Sequence, residues 1–99
     1  MDEKTAIDLL EELLEGFGVR IRYEAIKQDE DASFVVGGLC VLKGEYVLIL
    51  NFNASARDRI NTLATALKHF DLDRVHIRPA IRELLDKIPE QQPFNISTS

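Results

Sequence analysis

Two β-rich runs constrain this chain more than any other feature. Phe34-Val35-Val36-Gly37-Gly38-Leu39-Cys40-Val41-Leu42 and Tyr46-Val47-Leu48-Ile49-Leu50 stand on either side of Lys43-Gly44-Glu45. Their spacing and the central glycine predict a hairpin, although Lys-Gly is a weaker turn signal than Asn-Gly. Both runs are apolar on alternate residues of either parity, so each strand presents two apolar faces and calls for a cover on both sides. The earlier segment Val19-Arg20-Ile21-Arg22-Tyr23 differs, because strict alternation gives it one apolar face and one wet, basic face.

Helical periodicity fills the rest. Ala6, Ile7, Leu10, Leu13, Leu14 and Phe17 recur at helical spacing after a cap at Asp2 or Thr5, and Gly16 or Gly18 closes the helix. Ser55-Ala56-Arg57-Asp58 has the form of a capping box, opening a second helix with the stripe Ala56, Ile60, Leu63, Ala64, Leu67 and Phe70. Pro79 suits the first turn of a third helix carrying Ala80 or Ile81, Leu84, Leu85 and Ile88, which Pro89 stops. Val75-His76-Ile77 could add a short strand, and Gly37-Gly38 suggests a bulge or a close backbone approach. The expected fold is α+β in the order α-β-β-β-α-α, a small antiparallel three-stranded sheet packed by helices. Residues 1–89 form one domain, and residues 90–99, polar and without periodicity, form a flexible C-terminal tail.

Charge and cysteine usage narrow the function classes. The net charge of -5 disfavours general binding to nucleic acid or to anionic membranes. Arg57, Arg59, Lys68, Arg74, Arg78 and Arg82 are interleaved with Asp58, Asp71, Asp73 and Glu83, and no aromatic ladder for stacking bases accompanies them. No apolar run approaches a membrane span. The acidic opening Met1-Asp2-Glu3 is unlike a secretory leader, and a single cysteine makes no internal disulfide, so the expected setting is cytoplasmic. Asp2, Glu3, Asp8, Glu11, Glu12 and Glu15 outweigh Lys4 in the first fifteen residues. That pattern describes a solvated helix face or a docking surface for a basic partner.

Candidate chemistry centres on the second helix. Asn51 follows a strand, and the capped helix after it carries Leu63-Ala64-Thr65-Ala66-Leu67-Lys68-His69-Phe70. Over residues 46–70 this frame resembles ImmA/IrrE-type zincin-like domains, whose helix bears an L-A-H-E-L-x-H form of HExxH. The resemblance implies a first zinc ligand at Thr65, a general base at Ala66 and a second ligand at His69. Only the last is a histidine, so it implies a metal-free relative, since hydrolytic zinc needs three ligands and a base. At helical spacing Thr62, Thr65 and His69 lie opposite the apolar stripe and form a polar ridge, with Asn61 and Lys68 on its flank. Asp71 and His76 extend the ridge into a candidate binding set, Thr62, Thr65, His69, Asp71 and His76.

His69, Asp71, Asp73 and His76 could gather a divalent ion, but their spacing matches no zinc or EF-hand pattern, and Asp71 and Asp73 read more simply as turn and cap residues. Cys40, between Leu39 and Val41, reads as a small buried hydrophobe. No catalytic residue, metal site or cofactor is therefore expected. Two functions follow: a non-enzymatic interaction or regulatory domain with a protein partner or a second copy of itself, or a small enzyme or inactive metallopeptidase-like remnant using the ridge around His69. The homodimer is the expected partner state, because three modest helices are few to cover two apolar sheet faces.

Overall fold

The structure, a computed structural model, describes residues 1–25, 37–88 and 97–98. The elements follow the predicted order, α1 (Glu3–Gly16), β1 (Arg20–Glu24), β2 (Gly37–Leu42), β3 (Glu45–Asn51), α2 (Ala56–Leu67) and α3 (Pro79–Lys87). The fold is α+β. Residues 26–36, which include the start of the first β-rich run, together with Pro89 and most of the C-terminal tail, lie outside the described residues. Of that tail Ser97–Thr98 are described, as a two-residue strand β4.

Local chemistry sets the element ends. Asp2 caps α1, its Oδ1 accepting from the Thr5 amide at 2.9 Å. Beyond the other end Gly18 takes a φ of 86°, a left-handed conformation that glycine adopts without strain. The Ser55 hydroxyl accepts from the Asp58 amide at 3.1 Å and opens α2. Pro79 occupies the first turn of α3. Lys43 and Gly44 both take positive φ, 52° and 81°, and Leu42 pairs with Glu45, so β2 and β3 form a two-residue hairpin of the primed type.

The sheet departs from the expected antiparallel arrangement. β2 and β3 are antiparallel, but β1 runs parallel to β3, and the order is β1-β3-β2-β4. The sheet is thus mixed. The physical reason is placement: β1 sits on the far side of β3 instead of beside β2, and a strand opposed in direction to β2 is necessarily parallel to β3. The β2 ladder runs without interruption from Gly37 to Leu42, and a Cβ built at Gly38 meets nothing within 4 Å, so neither a bulge nor a close approach occurs there. Val75-His76-Ile77 forms no strand among the described residues; a short 3-10 turn at Leu72–Arg74 precedes it, and Ile77 is buried.

One core holds the helices to the sheet. Leu10 and Leu14 from α1, Leu63, Ala64, Ala66 and Leu67 from α2, and Ile81 and Leu85 from α3 meet Leu39, Leu48 and Leu50 of the sheet. The strand period of two places Leu39 and Val41 on the same face as Tyr46, Leu48, Leu50, Ile21 and Tyr23. Cys40, Leu42, Val47 and Ile49 take the opposite face and stand outside that core. The expected cover on both faces is therefore one-sided among the described helices.

Candidate interaction surface

The opposite face of the sheet is built from three strands. β2 contributes Gly38, Cys40 and Leu42, β3 contributes Val47 and Ile49, and β1 contributes Arg20, Arg22 and Glu24. Val47 is buried, whereas Cys40, Leu42 and Ile49 are half-buried. Cys40 is thus not the fully buried hydrophobe expected. Charge on the β1 side of this face is balanced, with Arg20 Nη2 at 3.7 Å from Glu45 Oε2 and Arg22 Nε at 3.7 Å from Glu24 Oε2. Both pairs are exposed, so each contributes at most about 1 kcal/mol.

On the helical side a second polar group gathers where α1, β1 and α2 meet. The Tyr23 hydroxyl donates to Glu11, and the Arg59 guanidinium lies 5.3 Å from the centre of the Tyr23 ring. Arg59 Nη2 also donates to the Phe52 carbonyl at 2.6 Å, while its Nε is buried without a hydrogen-bond partner among the described residues. Burial, then the hydrogen bond to Glu11, pushes the Tyr23 hydroxyl well above the usual tyrosine range. A phenol held neutral in this way ties β1 to α1 and offers no acid or base near neutral pH. Glu11, Tyr23 and Arg59 line an open cleft of about 560 Å³ with Ile7, Asp8 and Ala56. Elsewhere, hydrogen bonds from Thr5 hold the Asp2 carboxyl below its ordinary value, the interaction of a helix cap.

The residues of the predicted ridge fall in different places. Thr62 is buried, its hydroxyl donating to the Asp58 carbonyl at 2.9 Å, and the Thr65 hydroxyl donates to the Asn61 carbonyl at 2.7 Å. Both are turned back on their own helix. His69 is exposed and packs edge-on against Phe70 and Tyr46, with centroids at 5.5 Å and 6.2 Å, beside the stacked Phe17–Phe70 pair. Asp71 caps the 3-10 turn through the Asp73 amide and pairs with Arg74 at 3.6 Å. His76 instead lines a pocket of about 140 Å³ with Leu9, Leu13 and Ile81, apart from the depression that Asp71 and Asp73 share.

No three metal-ligating side chains gather among the described residues. Asn51 is buried, and its side chain accepts from the Asn53 amide at 2.9 Å, shaping the turn into α2. Among the basic residues, Lys68 Nζ donates to the Ile88 carbonyl at 2.8 Å and to that of Leu85 at 3.4 Å, capping α3. No described helix is long and apolar enough to cross a membrane. Neither a family model, nor a curated protein, nor a solved structure matches the chain.

Proposed function

We propose that this chain is a non-enzymatic interaction domain that works as a homodimer, with its sheet as the contact element. The observation that carries the reading is the one-sided helical cover: Cys40, Leu42, Val47 and Ile49 share a face that lies outside the core formed with the helices. An apolar strip left this way is the usual mark of an interaction site, and a two-fold pair is its simplest remedy. The balanced charges of Arg20, Arg22, Glu24 and Glu45 beside the strip suit a second copy better than a strongly charged partner. The single cysteine supports a reducing compartment, the cytoplasm.

The alternative, a small enzyme or metallopeptidase-like remnant around His69, has less support among the described residues. The Thr62 and Thr65 hydroxyls are engaged by their own helix, and His76 opens into another pocket. Sedimentation from micromolar to hundreds of micromolar concentration tests the proposal. Two chains per particle are expected at the upper end, and the mass of a single chain throughout would overturn it.

A further inference from the structure

β1 is an edge strand, paired among the described residues only with β3. The other edge, β4, has two residues and offers little to pair with. The Glu24 carbonyl accepts from the Phe52 amide at 2.7 Å, so Glu24 directs its backbone toward the β3 side. Backbone groups alternate along a strand, and the N–H and C=O groups of Ile21 and Tyr23 therefore point away from the sheet. Exposed edges of this kind are templates for a further strand, and like charges are a common guard against it. Here the charges are of both signs.

From this edge we infer that two copies join through β1, antiparallel about a two-fold axis at Arg22, so that their sheets become continuous. The inference rests on the reading of the chain as a self-associating interaction domain and assigns the contact to the edge strand bordering the apolar strip, so that the strips of the two copies lie on one continuous face. Only registers that set outward-pointing residues against each other can form hydrogen bonds. Centring the axis on Ile21 would place Arg20 opposite Arg22 of the second copy, a like-charge clash. Centring it on Tyr23 sets Arg22 against Glu24 twice but pairs only three of the five residues and leaves Arg20 and Ile21 beyond the end of the partner strand. Centring it on Arg22 uses all five residues of β1. Ile21 then faces Tyr23 of the second copy, a β-branched residue against an aromatic one, with paired backbone hydrogen bonds. Arg20 faces Glu24 of the second copy.

Arg20 already pairs with Glu45, and Glu24 with Arg22, so the seam carries an Arg20–Glu24 contact at each end and one like contact, Arg22 against Arg22, at its centre. The side chains needed are accessible: Arg20 and Glu24 are 69% and 43% exposed. The exposed Tyr23 ring lies at the same edge.

The experiment uses the full chain and two kinds of variant. Arg20→Glu and Glu24→Arg each set like charges opposite one another and should weaken the dimer about tenfold or more. The double swap Arg20→Glu with Glu24→Arg restores opposite signs and should restore dimerisation. In a Cys40→Ser background, Arg22→Cys should form a disulfide between copies on mild oxidation, because residues on the axis lie about 4.5 Å apart at their Cα atoms. Arg20→Cys, displaced from the axis, should not. A dimer indifferent to both single reversals, or an Arg22→Cys chain that fails to cross-link while dimeric, overturns edge pairing. If in addition native Cys40 becomes protected from a thiol reagent as concentration rises, the copies meet face to face and the self-associating reading survives alone. A monomer at every concentration removes both.

Discussion

At the scale of single residues, Tyr23 does more than its place in an alternating strand discloses. Its hydroxyl reaches Glu11, twelve positions earlier, and its ring lies under Arg59, thirty-six positions later. No local pattern encodes such partners. Replacing Tyr23 with Phe should cost about 1 kcal/mol at neutral pH, the value of one partly exposed hydrogen bond to a charged group. The tyrosine's folded-state value is raised, so its contribution is fully present below its ordinary value of about 10 and is lost as pH rises through the raised one. Urea unfolding of both proteins should therefore show a stability gap that narrows under strongly alkaline conditions. A gap of constant size would contradict the tether. The polar ridge illustrates the opposite error. Thr62 reads as solvent-facing if α2 has one buried stripe, but α2 packs against α1, α3 and the sheet together, which widens its buried arc to include Thr62.

At the scale of elements, what sequence discloses is what neighbours in sequence decide. Asp2, Ser55 and Pro79 mark helix starts because capping acts within a turn, and the hairpin at Lys43-Gly44 is legible because two residues settle it. Whether β1 pairs parallel or antiparallel is not legible, since it depends on which edge of the hairpin β1 occupies, and no residue within β1 chooses between them. Lys68 is a similar case. It reads as one more surface cation, yet it reaches across to carbonyls at the end of α3 and stabilises a helix of nine residues that carries no side-chain cap at its start. Lys68→Met keeps most of the apolar stem and removes the donor and the charge. The expected loss is about 1 kcal/mol, a fall of roughly 5 °C in Tm for a domain of this size. An unchanged Tm would mean that α3 is held by Ile81 and Leu85 alone.

At the scale of the whole molecule, the decisive property is that a sheet with apolar side chains on both faces carries the described helices on one. Alternation in the sequence assigns each residue to a face, but which face the helices choose depends on how α1, α2 and α3 fit together. Adjacent residues of β3 report on that choice. Leu48 is fully buried against the helices, and Ile49 points the other way and is half-buried. Leu48→Ala removes three buried carbons and leaves a cavity among close-packed side chains, which should cost about 3 kcal/mol. That is a large share of the stability of so small a domain. Ile49→Ala removes apolar area from a surface that water already reaches in the monomer and should cost about 1 kcal/mol. The comparison is made by urea unfolding at a concentration where the chain is monomeric, so that association contributes nothing to either value. Equal losses at the two positions would show that the far face is packed as tightly as the near one, and the surface on which the proposed function rests would not exist.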